Sequence, residues 1–463
     1  PQAGFEGTGT LTIAGVDGNL ANVTNAGTTE WTMPYPNLNS TWDYVAVSYG
    51  NNTGTSAIIV YDGTDEGNNV PTPGWWIFTS SPTPSNCTFN GTTTLTANLT
   101  CANLDVLAGG NLATSTYSIN ATGAAEVNGT LNASQGGDQW FGSMTIQSGG
   151  THEATSGTTN VTGNVIVTGT YDSTANGTDT FGYLKTNSGG VYRATGGTTT
   201  ITDESSNYAV WIGDSSTFSA NGGTINIITQ DETYLYIRNS ASFYDLILDT
   251  SANFYFANNI VVANDLNVTS GTIMTVTGTY TKTVTGDVII NGGQLGRAAE
   301  SGARSFGSLT INSGGTYYAT SGTTTLTNES GSGFAYIRNG GTYTHNSGTM
   351  KVTTPTVTIL YDASGSGNLY NLIVNTSTDN TILWRKSGYI IDNDLTINSG
   401  IFGAFDGNDD LTVTGDVDVI GTLLGATSEM SMGSLIINSG GNYSATSGTT
   451  TINSSLSNAG TYT

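Results

Sequence analysis

The sequence predicts an all-β protein: a parallel β-solenoid of about 25 residues per three-strand coil, preceded by a small N-terminal β domain. Three observations indicate this fold. A segment recurs from Phe141, Phe181, Phe306 and Met432, and the last three copies lie 125 and 126 residues apart. Each copy alternates apolar and polar residues with the period of a β-strand. Gly, Asn and Ser break the alternation at short intervals, as expected at the sharp corners of a solenoid.

Aligning the four copies with one another predicts which side chains face inward. Three columns are mostly apolar: Phe141, Phe181, Phe306 and Met432; Met144, Leu184, Leu309 and Leu435; Ile146, Thr186, Ile311 and Ile437. The position between the last two columns varies freely in polarity. A fourth column is always alanine, at Ala154, Ala194, Ala319 and Ala445. These columns are expected to form the core.

Residues 85–463 are interpreted as the solenoid array, with units near 141–180, 181–305 and 306–431 and a partial unit at 432–463. At about 25 residues per coil this region would make about 15 coils. A string of β-sandwiches is the alternative, although sandwiches usually have longer strands and hairpin turns.

Residues 1–84 have a different composition, rich in Pro and Trp, and are interpreted as an N-terminal β domain or cap. The segment from Trp42 to Tyr49, followed by Ile58 to Gly63, resembles two late strands of laminin-G-like jelly-roll domains. That resemblance, over residues 42–63, implies binding of sugars or calcium. The alternative is an end cap that covers the first coil and its open strand edge.

Composition narrows the classes of partner. The 463 residues include 10 Lys plus Arg and 34 Asp plus Glu, for a net charge of −24. Nucleic acid is therefore not an expected partner, because no basic stripe exists to neutralise phosphates. No apolar run approaches the roughly 20 residues of a membrane-spanning helix.

Cys87 and Cys101 are the only cysteines and are expected to form a disulfide, two buried free thiols being the alternative. Disulfides are typical of oxidising compartments. The chain also begins at Pro1 rather than Met, which favours removal of a leader, a fragment of a longer chain being the alternative. We therefore expect an extracellular or cell-surface protein.

Two kinds of modification or ligand site are candidates. The densest cluster of Asn-x-Ser/Thr sequons gives the glycosylation candidates Asn86, Asn90, Asn98, Asn120, Asn128 and Asn132, although sequons in the whole chain are little above chance. Asp406, Asn408 and Asp410 offer closely spaced oxygen ligands for calcium, with an ordinary turn as the alternative. No other cofactor is expected.

The sequence gives little support for catalysis. Of the two histidines, His152 falls in the column otherwise filled by Tyr192, Tyr317 and Tyr443 and is interpreted as a packing substitute. Glycoside cleavage needs paired carboxylates. Clusters occur at Asp392/Asp394 and Asp406/Asp409/Asp410, but only Arg385 and Lys386 lie near them in sequence, so the clusters are interpreted as turns or calcium sites. An enzyme is not expected.

The repetitive short-strand pattern resembles the β-solenoid and β-helical repeats of microbial surface proteins, including adhesins, filaments and phage fibres. The resemblance implies a non-enzymatic extracellular structural protein, a subunit of a surface filament or sheath. Such a subunit would form a head-to-tail homopolymer through exposed solenoid ends. The alternative is a cell-surface or viral adhesin that binds glycans, for which Tyr318, Trp384 and Tyr389 are candidate stacking residues unless they pack between coils.

Overall fold

The structure is a computed structural model. It describes residues 86–463 except 176, 204, 206, 239–240, 329–334, 354–357, 364, 378–380, 386–387, 405–408 and 426, and the backbone of ten short strands between residues 13 and 79. For residues 335–336, 358–359 and 361–363 only the backbone is described. No helix occurs in this part of the chain.

The chain divides into two compact units, residues 1–86 with 101–103, and residues 87–100 with 104–463. In the first unit the described strands are β1 to β10: Ile13–Ala14, Ala21–Val23, Trp31–Met33, Ser40–Asp43, Val45–Val47, Gly50–Asn52, Ile58–Tyr61, Thr64–Asp65, Val70–Pro71 and Trp76–Thr79. They form three parallel sheets, β1-β4-β7-β10, β2-β5-β8 and β3-β6-β9. The laminin-G-like resemblance of residues 42–63 stays a prediction, since much of that segment lies outside the described residues.

From residue 87 onward the described strands are β11 to β52. In chain order they are Cys87–Phe89, Thr92–Thr94, Leu99–Cys101, Leu104–Val106, Asn111–Ala113, Ile119–Val127, Thr130–Asn132, Gln139–Ile146, Thr151–Glu153, Thr158–Val167, Thr170–Asp172, Thr178–Thr186, Val191–Arg193, Thr198–Ile201, Tyr208–Ile212, Thr217–Ser219, Thr224–Ile227, Thr233–Ile237, Asp245–Phe256, Ile260–Val262, Leu266–Thr275, Lys282–Ile290, Gln294–Leu295, Arg304–Ile311, Thr316–Tyr318, Thr323–Leu326, Ala335–Asn339, Thr342–Thr344, Thr349–Val352, Thr358–Ala363, Asn371–Asn375, Thr381–Arg385, Tyr389–Ile391, Leu395–Ser399, Ile401–Ala404, Leu411–Val419, Thr422–Leu424, Met430–Ile437, Asn442–Ser444, Thr450–Ile452, Leu456–Asn458 and Thr461–Tyr462.

These strands form the predicted parallel β-solenoid, of about 16 turns. Each turn contributes one strand segment to each of three parallel ladders. We name the ladders by the residues of one turn: ladder 1 contains Phe141, ladder 2 contains Met144 and ladder 3 contains His152. Among the described strands from residue 87 onward, the turn length ranges from 17 residues, where Cys87 pairs with Leu104, to 28, where Leu309 pairs with Ile337.

The core includes the columns predicted from the four copies. All members of the three apolar columns are buried, including the polar Thr186, whose hydroxyl lies 3.1 Å from that of Ser216. Ala154, Ala194 and Ala319 are also buried, whereas Ala445 in the last copy is half-buried. The predicted columns of the four copies therefore face inward.

The recurrent Ser-Gly-Gly corner needs both of its glycines, for different reasons. The first glycine of each copy has a positive φ, +86° at Gly149 and +88° at Gly314, which disfavours side chains. The second leaves no room for a side chain, because a Cβ at Gly150 would lie 2.1 Å from the carbonyl oxygen of Val127 on the preceding turn. One glycine turns the chain and the next lets two turns approach.

Successive long repeats begin on different ladders. Ladder 1 runs through consecutive pairings from Phe181 to Ile311, by way of Ile201, Ile227, Leu248, Val268 and Ile290. Phe306, the counterpart of Phe181, instead lies on ladder 3, through Val284, Val262 and Phe243. Leu435 lies on ladder 3 and Met432, just before it, on ladder 2. Each long repeat therefore stops one face short of six full turns, so equivalent side chains point in three directions around the array.

Candidate functional site

The most distinctive surface feature is an outward cluster of aromatic side chains on ladder 2, which we call the aromatic patch: Tyr208, Trp211, Tyr234, Tyr236 and Tyr255. All five are half-buried. Trp211 and Tyr236 have ring centroids 4.2 Å apart, and Tyr234 stacks on Tyr255 at 4.9 Å. Tyr208 contacts Trp211 edge-on at 4.8 Å. Three consecutive turns thus present one continuous aromatic surface.

Strand alternation determines this orientation. In the strand Thr233–Ile237 the residues Thr233, Leu235 and Ile237 are buried, which turns Tyr234 and Tyr236 outward. Parallel in-register pairing then places outward residues of neighbouring turns directly above one another, as Tyr234 lies over Tyr255.

Charged side chains surround the aromatic patch. Lys185 Nζ lies 5.7 Å from the centre of the Trp211 ring, and the Arg238 guanidinium lies 5.2 Å from that of Tyr236. Arg238 Nη1 also forms a 2.9 Å ion pair with Asp214. The Tyr234 hydroxyl donates to Glu232 Oε1 at 3.2 Å, and local desolvation followed by this contact raises the pKa of Tyr234. The surface therefore combines the flat apolar faces of aromatic rings with cationic hydrogen-bond donors and anionic hydrogen-bond acceptors.

A second feature is the outer side of the last described turn. Leu456 pairs with Leu435, and Tyr462 with Tyr443. Leu435 and Tyr443 are completely buried, whereas Leu456 is 53% and Tyr462 45% exposed. These last two side chains occupy core columns but have no further turn above them in the described chain.

The predicted disulfide is present between Cys87 and Cys101. Cys101 is buried and Cys87 half-buried. The bond joins the strands Cys87–Phe89 and Leu99–Cys101.

The glycosylation candidates lie at the surface to different degrees. Asn86, Asn90, Asn98 and Asn120 are exposed, whereas Asn128 and Asn132 are half-buried. The Asn132 side-chain oxygen accepts hydrogen bonds from both the backbone N–H and the hydroxyl of Ser134, within its own sequon. Glycosylation at all six positions stays a prediction.

The calcium candidate falls largely outside the described residues, which include neither Asp406 nor Asn408. Asp410 is described, and its Oδ1 accepts a 2.8 Å hydrogen bond from the backbone N–H of Glu429. The described part of the chain contains no group of three or more His, Cys, Asp or Glu side chains able to hold a metal ion.

Of the aromatic residues proposed from the sequence to stack on sugars, two are internal. Trp384 is fully buried and donates from Nε1 to the carbonyl oxygen of Asp409 at 2.7 Å, and Tyr389 is 1% exposed. Both belong to the core, as the alternative of packing between coils expected, and only Tyr318 is half-buried. The sequence reasoning instead missed the aromatic patch, although the alternation Tyr-Leu-Tyr-Ile at 234–237 carried the signal.

No helix long and apolar enough to cross a membrane occurs among the residues described. Comparison with protein-family models, with curated proteins and with solved structures found no match. The functional argument therefore depends on the chemistry of the surfaces described above.

Proposed function

We propose that this protein is an extracellular structural protein, a subunit of a surface filament or sheath that assembles by stacking one solenoid on another. The observation that carries the proposal is that successive turns stack through one set of inward columns, as Leu435 stacks with Leu456 and Tyr443 with Tyr462. A turn covers the core columns of its neighbour, and Leu435 and Tyr443 are completely buried in this way. Covering one such side chain is worth roughly 1.5–3 kcal/mol, so a further turn would be stabilising.

We propose that a second copy of the chain supplies this further turn. A head-to-tail contact of this kind does not close on itself and so generates an open filament. The edge strands Leu456–Asn458 and Thr461–Tyr462 would also gain hydrogen-bonding partners. The disulfide agrees with an oxidising extracellular location.

The experiment measures the assembly of purified full-length protein by electron microscopy and analytical ultracentrifugation across a range of concentrations. Rods that lengthen with concentration are expected. Leu456→Lys should abolish elongation, because it places a charge in the apolar contact. Val261→Lys is the matched control. Val261 is 38% exposed, but its side chain points outward from the lateral surface of the solenoid and not toward a stacking turn. A wild-type protein that stays monomeric throughout would refute the proposal, as would elongation of the Leu456→Lys variant.

The aromatic patch favours a second function, binding of glycans along the side of the solenoid. A pyranose ring presents an apolar C–H face that packs on an aromatic ring, while its hydroxyls need nearby donors and acceptors. Trp211 and Tyr236 offer the first, and Arg238, Asp214 and Glu232 the second. Because the patch extends over consecutive turns, it suits an oligosaccharide rather than a single sugar.

Binding of soluble polysaccharides of defined composition, followed by isothermal titration calorimetry, tests this second function. Trp211→Ala is expected to reduce affinity at least tenfold. The matched control is Trp140→Ala, because Trp140 is an outward, 39% exposed tryptophan on ladder 1, outside the aromatic patch. Equal losses in the two variants, or no binding of any polysaccharide by the wild type, would argue against a glycan site here.

A further inference from the structure

The interior of the first repeat copy differs chemically from that of the other three. In those copies a buried tyrosine reaches a threonine hydroxyl seven residues later: Tyr192 to Thr199 at 3.3 Å, Tyr317 to Thr324 at 3.2 Å and Tyr443 to Thr450 at 2.7 Å. In the first copy the corresponding pair is His152 and Thr159. The tyrosine has been replaced by histidine, and the threonine has lost its hydroxyl partner.

Thr159 is flanked on ladder 1 by two further polar side chains. Gln139 pairs with it on the preceding turn and Asp179 on the following turn. All three side chains are buried, at 0 or 1% exposure, as is His152. Adjacent turns are about 4.8 Å apart, which is within reach of a glutamine side chain.

These groups lack ordinary hydrogen bonds. No partner of hydrogen-bonding geometry lies near either side-chain amide atom of Gln139 or either ring nitrogen of His152. The same is true of the Thr159 hydroxyl. Burial raises the pKa of the neighbouring Asp179 to about 7, against the opposing effects of the Ser173, Tyr171 and Thr159 hydroxyls. Buried polar groups are nearly always satisfied, so a concentration of unpaired ones calls for a specific explanation.

We propose that Gln139 and Thr159 become joined by an intramolecular ester that clamps two successive turns of the solenoid. Gln139 supplies the acyl group, Thr159 the nucleophile and His152 the proton relay. The cross-link removes the amide and hydroxyl from the set of unpaired interior groups.

The reaction is an acyl transfer that balances without any co-reactant. Thr159 Oγ1 attacks Cδ of Gln139 while His152 takes the hydroxyl proton. The Cδ–Nε2 bond then breaks, His152 returns the proton to the leaving nitrogen, and ammonia departs. Burial lowers the pKa of His152 to about 4, against the opposing effect of the Leu131 backbone, so the imidazole is neutral and able to accept a proton at neutral pH.

The other copies explain why the reaction is confined to the first. The position of Gln139 is occupied there by Asp179, Arg304 and Met430, none of which carries an amide. Their tyrosines also hold the threonine hydroxyl in a hydrogen bond, whereas His152 leaves the Thr159 hydroxyl without one. His152 packs instead against Tyr171, with ring centroids 5.0 Å apart.

The test is the intact mass of the full chain, made in a bacterial host without glycosylation and measured after reduction of the disulfide. The wild type is expected to be about 17 Da lighter than its sequence, the mass of ammonia. Digestion should yield one linked pair of peptides that contains Gln139 and Thr159, cleaved by hydroxylamine.

Three variants complete the test. Thr159→Val and His152→Tyr should restore the full mass, and His152→Tyr should fold normally because it recreates the pair of the other copies. Thr199→Val is the matched control and should keep the loss of 17 Da. A wild-type mass equal to the sequence mass, or a gain of 1 Da at Gln139 without linked peptides, would overturn the proposal. Persistence of the loss in His152→Tyr would eliminate the relay.

Discussion

Lys282 Nζ lies 2.5 Å from Glu300 Oε2 in the interior of the solenoid, where both side chains are at most 2% exposed. Arg304 Nη2 contacts the same oxygen at 2.7 Å. Burial alone would raise the pKa of Glu300, but the two cations hold it below its usual value. Glu300 Oε1 also accepts the backbone N–H of Thr275. One carboxylate thus bridges two buried basic groups, and burial together with the neighbouring Arg304 lowers the pKa of Lys282 to about 7. The arrangement depends on the shared carboxylate being present.

Removing one member of this triad should be strongly destabilising. We expect Glu300→Met to reduce the free energy of unfolding by about 3–5 kcal/mol, since Lys282 and Arg304 then lack their shared buried anion. The triple variant Lys282→Leu, Glu300→Met, Arg304→Met should regain most of that loss, because the positions aligned with Lys282 and Arg304 in the next repeat are the buried Leu411 and Met430. Urea unfolding of both variants checks this; a triple variant less stable than the single one would contradict it.

Asp179 should make stability fall as pH rises. Its pKa is about 7 in the folded chain, chiefly because of burial, against an ordinary value near 4. The folded state therefore holds a proton that the unfolded state releases between about pH 4 and 7, and the associated stability is lost across that window. Asp179→Asn should stabilise the protein by roughly 2–4 kcal/mol at pH 8 and have little effect at pH 3.

Thermal unfolding of Asp179→Asn and the wild type at both pH values provides the measurement. His152 has the opposite dependence, since its lowered pKa removes stability as pH falls from about 6.5 to 4. The comparison at each pH subtracts that contribution, which both proteins share. Equal melting temperatures at pH 8 would show that Asp179 is not a buried, proton-holding group.

The two glycines of a corner should respond differently to substitution. Gly150→Ala is expected to be the more damaging, because its Cβ would meet the Val127 carbonyl oxygen at 2.1 Å. Gly149→Ala faces open space and should lose only about 1–2 kcal/mol from its left-handed backbone. Gly149→Asn should lose less still, since asparagine tolerates that conformation. Denaturant midpoints should therefore decrease from Gly149→Asn through Gly149→Ala to Gly150→Ala, and the reverse order for the two alanine variants would be contrary to the geometry.

The disulfide should stabilise the first turns of the array. Cys87 and Cys101 close a loop of 14 residues, for which chain entropy predicts about 3 kcal/mol. A Cys87→Ser, Cys101→Ala variant should therefore show earlier hydrogen exchange in Cys87–Phe89 and Leu104–Val106, with Met430–Ile437 unchanged as an internal control. If the strands near the disulfide and the distant strand Met430–Ile437 exchanged equally fast in the variant, the disulfide would not stabilise the first turns specifically.

The core was predictable because each repeat copy samples the same environment. Phe141, Phe181 and Phe306 could be recognised as buried from their column alone, since a period of two places alternate residues inside. The rotation of the repeats was not predictable. It depends on how many residues each corner absorbs, as where 26 residues separate Ile201 from Ile227 but 20 separate Phe181 from Ile201.

The candidate sites also differ in whether local sequence or the register between turns determines them. The disulfide could be inferred from two cysteines in an otherwise cysteine-free chain. The aromatic patch could be inferred only in part: the alternation at 234–237 indicates that Tyr234 and Tyr236 point outward. Tyr208 and Tyr255 become their neighbours only through the register of three successive turns. Likewise, the partners of Thr159 become visible only when ladder pairing brings Gln139 and Asp179 to its two sides.

Because each turn contacts mainly its neighbours, removal of one complete turn should leave a folded protein. Deleting residues 142–161 joins Phe141 to Thr162, so that Phe141 takes the ladder position of its partner Val161. We expect one cooperative transition and a β-sheet circular dichroism spectrum per residue equal to that of the wild type. Deleting residues 152–161 removes half a turn and is the control, because it leaves inward columns of adjacent turns out of register. Similar stability of the two deletions would mean that ladder register does not govern folding of the array.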